Sequence, residues 1–150
     1  RRQRQMCIRD SLSGCRDSFG MLFAQNDSDL QSHKEIIYVF VSKDKRFFSE
    51  YQKELTRNLP LYPSLELLLV DFAVILVENF DQLSEQDKLE IFSLVENNIM
   101  NNDYVGTALL TGFIKTIQNV SNKEQYKKIE KYFGKETLSL ADELIEFWGI

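Results

Sequence analysis

Residues that carry chemistry are scarce in this chain. It has two cysteines, Cys7 and Cys15, and one histidine, His33. Neither a disulfide framework nor a four-ligand zinc site can be assembled from so few groups, so no metal and no cofactor is expected. Nucleophilic catalysis needs a base within hydrogen-bond reach of a Ser or Cys. His33 is the one imidazole available, and its place reads as a solvated side chain near a helix start. Phosphate-binding loops are missing as well: neither G-x-G-x-x-G nor G-x-x-x-x-G-K-[ST] occurs, and "GTALLTG" lacks the Lys-Ser that would follow its second glycine. Two prolines and six glycines in 150 residues leave few turns, which favours long helices over a sandwich of short strands. No uninterrupted apolar run reaches the roughly 20 residues of a membrane span, because the most apolar stretch is broken by Glu66, Asp71 and Glu78. The basic start is followed by polar "RDSLSG" where a secretory signal would be apolar, and a reducing cytoplasm is the expected location.

What the chain does contain is ordinary globular material, 43% apolar and 27% charged. Its net charge of −5 hides an asymmetry. Residues 1–11 hold four Arg and one Asp, so residues 12–150, with 14 basic and 22 acidic groups, carry −8. An acidic body repels phosphate backbones and anionic lipid, which excludes nucleic acid and membrane surfaces as default partners. A basic protein is the partner this charge admits.

The opening "RRQRQMCIRDS" fits neither an acidic body nor a helix. One back-translation of "MCIRDS" contains ATGTGTATAAGAGACAG, which resembles the transposon-end adapter used in sequencing-library preparation. Residues 1–11 are therefore expected to be translated library sequence rather than part of a natural protein. The rival, a basic arm for nucleic acid, lacks the aromatic interleaving such arms carry. Residues 12–32 hold Ser, Gly, Asp and Asn with no apolar period, and read as a disordered or loop lead-in to a single helical domain over residues 33–150.

Within that domain, Ile36 to Val41 is rich in β-branched and aromatic residues, as a strand would be. Three- and four-residue steps through Ile36, Ile37, Phe40, Phe47, Phe48, Tyr51 and Leu55 favour helix, with a turn at Ser42 to Asp44. Pro60 and Pro63 predict an extended connection. Ser64 then caps "SLELLLVDFAVILVENF", apolar nearly all round and so expected at the centre. Ser84 with Asp87 predicts a variant capping box before a stripe of Leu89, Phe92, Val95 and Ile99. "NND" at 101–103 should break the chain into a further helix with Val105, Ala108, Leu109, Phe113, Ile117 and Val120 on one face. Gly106 and Gly112 inside that helix suggest close approach of another helix. Ser121 with Glu124 predicts a second capping box, Gly134 a left-handed C-terminal cap, and the last helix an apolar face of Leu138, Ala141, Leu144, Ile145 and Trp148. The fold expected is all-α, a compact antiparallel bundle or short array of five to six helices.

Carboxylates are the remaining candidates for catalysis. Asp71 and Glu78 share a face of the most apolar helix, and Glu90 and Glu96 are less closely aligned. They could serve a metal-dependent enzyme, but the ExxH and matched acid pairs of a di-metal bundle are missing, and helical acids are mostly solvated. The lysines of "KKIEK" at 127–131 read as a solvated helix face before a binding patch. Tyr126, Tyr132, Phe147 and Trp148, with Phe133, are the candidate interface, since Trp and Tyr anchor partners disproportionately. Packing at the end of a core is the competing expectation for the same residues.

From Phe47 to Gly149 the pattern resembles a family of small uncharacterised bacterial helical domains, a domain of unknown function. The likeness is carried by Leu59-Pro60, by "IFSLVENNIMNNDYVGTALLTGFIKTI" and by "YFGKETLSLADELIEFWG". It implies a helical fold and association with immunity proteins beside toxins, and it supplies no site residues. The expected function is therefore a non-catalytic protein-binding domain, an immunity protein neutralising a toxin. Its rivals are a carboxylate-based metal-dependent enzyme and a structural subunit of a larger assembly.

Overall fold

A computed structural model describes residues 27–101 and 103–148, with side chains described from His33 onward. The adapter-like residues 1–11, both cysteines and Gly149 lie outside the described residues. The fold is all-α: every regular element among the described residues is helical, and they form seven helices. By its contacts the chain divides into two compact units, Arg1–Pro63 and Ser64–Ile150.

In the first unit, α1 (Asp27–Val41) and α2 (Lys45–Asn58) form a pair. Helix α1 starts inside the stretch expected to be a lead-in. The Asp and Ser residues that read as loop formers are also residues that favour the first turn of a helix. Ile36 to Val41 is helical, as the three- and four-residue steps predict, with Ile36, Ile37, Phe40 and Val41 buried. His33 is buried, not solvated. It sits three and four residues before Ile36 and Ile37 and so shares their face. After the turn, Asp44 accepts a hydrogen bond from the Arg46 backbone N–H at 2.8 Å and starts α2, whose Phe47 ring meets Phe40 edge to face at 5.4 Å. Tyr51 and Tyr62, both buried, share a hydrogen bond between their hydroxyls at 2.9 Å. The Leu59–Pro60 bond is cis, and the Leu61 N–H closes the turn on the Asn58 carbonyl.

The second unit is built on α3 (Leu65–Glu78), capped as expected by the Ser64 hydroxyl, which accepts from the Leu67 N–H at 3.1 Å. Its Leu65, Leu68, Leu69, Phe72, Ala73, Leu76 and Val77 are buried. A short 3₁₀ turn (Phe80–Gln82) leads to α4 (Glu85–Asn98), where the Ser84 hydroxyl accepts from the Asp87 N–H at 3.0 Å. The inward stripe of α4 is Ile91, Phe92, Val95 and Ile99, with the expected Leu89 turned out to solvent. Helix α5 is continuous but changes gauge: an α-helical turn Tyr104–Thr107, capped by Asp103, a π-helical stretch Ala108–Ile114, and an α-helical end Lys115–Val120. Then follow α6 (Lys123–Glu130) and α7 (Lys135–Trp148). No described helix is long and apolar enough to cross a membrane.

Three local expectations need correction. The capping box of α6 is formed by Asn122 and Gln125, each side chain bonding the other's backbone N–H, one residue beyond the predicted Ser121 and Glu124. Ser121 instead bonds back to the Ile117 carbonyl at the end of α5, the alternative that hydroxyls offer the backbone. Gly134 has no positive φ. It is a glycine because a Cβ there would overlap the Glu96 carboxylate. Of the two glycines in α5, Gly112 does admit another helix, since a Cβ would stand 3.0 Å from the Glu66 carbonyl oxygen of α3, whereas Gly106 faces the backbone of the preceding turn at Asn101.

Candidate functional site

The surface of interest begins where α7 is fixed in place. The four leading N–H groups of a helix lack intrahelical acceptors. Here Glu96, reaching across from α4, serves them: it accepts from the Glu136 N–H and the Thr137 N–H at 2.9 Å each, and from the Thr137 hydroxyl at 2.7 Å. Desolvation alone would raise the pKa of this carboxyl, but the hydrogen bonds from Glu136 and Thr137 outweigh it and hold the group below its ordinary range. Farther along, the buried Gln118 amide of α5 donates to the Ala141 carbonyl at 2.9 Å and to the Tyr126 hydroxyl at 3.1 Å, tying α5 to both α6 and α7.

Anchored this way, α7 buries Thr137, Ala141 and Leu144, a narrower stripe than the sequence suggests. The expected Leu138 is exposed beside this stripe, which runs through Thr137, and Trp148, in line with the stripe but beyond its last buried residue, is exposed at the end of the helix. Opposite the stripe stand Asp142, Glu143, Glu146 and Phe147. Phe147 is 78% exposed and Trp148 54%, and their rings meet edge to face at 5.1 Å. Lys115, the first residue after the π-helical stretch, places its ammonium 3.8 Å from the Trp148 ring centroid. Its backbone N–H bonds five residues back to the Leu110 carbonyl, the wide-gauge spacing that marks a π-bulge.

Of the four candidate interface residues, the structure brings together Phe147 and Trp148 and sets Tyr126 and Tyr132 elsewhere. Tyr132 donates to the Glu85 carboxylate at 2.7 Å and packs against Phe80 and Phe92. Tyr126 packs edge to face on Phe133, which in turn meets Phe92. Both phenol pKa values are raised, that of Tyr126 chiefly by burial and that of Tyr132 chiefly by its bond to Glu85. This second group seals one end of the core around Phe92, which is the packing role expected for aromatic side chains of this kind.

The acids considered for catalysis are dispersed within the unit. Glu78 is exposed at the end of α3, two turns from the part-buried Asp71, while Glu90 accepts from Gln86 and Glu96 is committed to the start of α7. A polar niche of about 150 Å³ lies between the end of α3, the 3₁₀ turn and α6, lined by Glu78, Asn79, Asp81, Gln82, Gln125 and Lys128 among others. Its rim is crossed by the Lys128 to Asp81 ion pair at 3.6 Å, between two exposed side chains that contribute little to stability. Sequence reasoning missed Glu96 as an anchor and Lys115 as the partner of Trp148. Both contacts join residues far apart in the chain, and only the 3.6-residue spacing within each helix was legible. No family model, curated protein or solved structure matches the chain.

Proposed function

We propose that this chain is a non-catalytic protein-binding domain, and that its partner is a basic protein. The observation that carries the reading is the exposed Phe147–Trp148 pair, with Lys115 over the Trp148 ring and Glu143 and Glu146 beside Phe147. An aromatic anchor costs little conformational entropy to order, and it is the residue class that dominates binding energy when a partner desolvates it. Charge points to the partner's sign. Residues 64–150 hold fifteen acids and seven lysines, a net of −8, so the whole excess of negative charge resides in the unit that carries the aromatic pair. Such a surface draws a basic partner by long-range attraction and lets the aromatic rings fix the register.

A bacterial immunity protein that neutralises a toxin in the cytoplasm is the biological role this chemistry suits best. The resemblance carried by Leu59-Pro60 and the two helical segments supports it. The test is capture from an extract of the native organism on immobilised wild-type chain and on the Phe147→Ala/Trp148→Ala variant, side by side. A basic protein retained by the first and lost by the second is the expected result. Equal retention on both, or retention of nothing, would refute the reading.

A further inference from the structure

The outer face of α7 carries a feature that neither stability nor packing accounts for. Glu143, Glu146 and Phe147 line one shallow niche, at positions i, i+3 and i+4 of the helix, so that two carboxylates and an aromatic ring share a side. Neither carboxylate makes a hydrogen bond or ion pair among the described residues. Glu146 stands in the last turn of α7, where no basic residue balances it and the helix dipole disfavours negative charge. Phe147 is the most exposed large apolar side chain of the described residues. One acid set against the dipole, a second without an opposite charge beside it and a ring left in water are costs to the folded state, and a bound cation removes all three.

We infer that this niche receives an arginine side chain from the basic protein partner proposed above, on which reading the inference rests. A guanidinium is planar, so it can stack on the Phe147 ring while its N–H groups face a carboxylate in a bidentate pair. Lysine offers a compact, strongly hydrated ammonium that cannot satisfy a ring face and two carboxylates in the same way. Lys115 sharpens the choice of position. Its ammonium already occupies the Trp148 ring, so an incoming cation is repelled from Trp148 and directed to Phe147.

Trp148 is the chain's only tryptophan and touches Phe147, which makes its emission a reporter of this niche. The probe is an arginine–glycine repeat peptide, titrated at low salt beside a lysine–glycine peptide of equal length. Expected is a saturable change in Trp148 emission with the arginine peptide, and weaker binding of the lysine peptide. In Glu143→Gln/Glu146→Gln, affinity for the arginine peptide should fall roughly three- to thirtyfold, the range for two exposed ion pairs. Glu78→Gln/Glu124→Gln removes the same charge elsewhere in the unit and should leave affinity within about twofold of wild type. Equal binding of both peptides, or equal losses in the two double variants, would overturn the inference as diffuse attraction. If the arginine peptide fails to bind while capture of a basic protein still depends on Phe147 and Trp148, the arginine niche is refuted and the protein-binding reading stands.

Discussion

Replacing Glu96 by Ala should destabilise the fold through α7, although Glu96 belongs to α4 and is only part-buried. The change strips three hydrogen bonds from the start of α7: two backbone N–H groups and the hydroxyl of Thr137, itself buried. Loss of a capping side chain costs about 1 kcal/mol. Removing a negative charge from a helix N-terminus adds about 0.5 kcal/mol. Leaving a buried hydroxyl without its acceptor adds about 1 kcal/mol more, for a total near 2–3 kcal/mol. Urea denaturation followed by far-ultraviolet circular dichroism measures it directly.

Two further readouts separate this account from a general packing defect. The carboxyl's folded pKa lies below the usual 4.5, so its stabilisation is fully present above that pH and is lost as the pH falls through the folded value. The gap between wild type and Glu96→Gln should therefore be widest near neutrality and narrow in acid. Gly134→Ala should cost about as much as Glu96→Ala, because the new Cβ displaces the same carboxylate. Combined, the two changes should fall well short of additive, with a coupling of about 1 kcal/mol or more. A cost below about 0.5 kcal/mol for Glu96→Ala, a gap that ignores pH, or full additivity with Gly134→Ala would refute the reasoning.

Other outcomes follow from the same geometry. Phe72→Ala, at a fully buried position of α3, should cost about 3–5 kcal/mol in urea denaturation. Phe147→Ala/Trp148→Ala should change stability by less than about 0.5 kcal/mol while abolishing partner capture, because neither ring is part of the core. Glu146→Gln should raise the urea midpoint rather than lower it, since the carboxylate opposes the dipole of α7. Ultraviolet titration should place the Tyr132 phenol above the ordinary 10.0, returning towards that value in Glu85→Gln; its share of stability is present below 10.0 and lost as the pH rises through the folded value.

Helix existence was legible wherever one periodic signal acted alone. The Ser64 and Ser84 caps lie where hydroxyls precede apolar periods, and the apolar character of α3 places it where such a helix must go. Errors arose where one residue type serves two purposes. Asp27, Ser28 and Asp29 read as loop because these side chains compete with helical bonding, yet they favour the first turn just as strongly. Gly134 read as a left-handed cap because that is the usual reason for glycine after a helix; its reason here is the Glu96 side chain from another helix, which no local pattern encodes. The interface residues divided for a similar cause. Tyr126, Tyr132, Phe147 and Trp148 look alike as aromatic residues near two helix ends. Only the placement of α6 and α7 decides which of them meet Phe92 and Phe133 and which meet water.

That division also separates acids that hold the fold from acids available to a partner. Glu66 accepts from Thr111, Glu85 from Tyr132, Glu96 from the start of α7, and Asp103 from the Gly106 N–H, so each of these carboxylates has a structural task within the unit. Glu143 and Glu146 have none among the described residues. Negative charge without a structural partner raises self-repulsion in a unit already at −8, a cost that folding does not recover. Binding recovers it when an opposite charge arrives, and the gain is largest where an aromatic ring excludes water beside the pair. Glu143 and Glu146 flank Phe147 on the outer face of α7, which is where a basic partner would obtain most from docking.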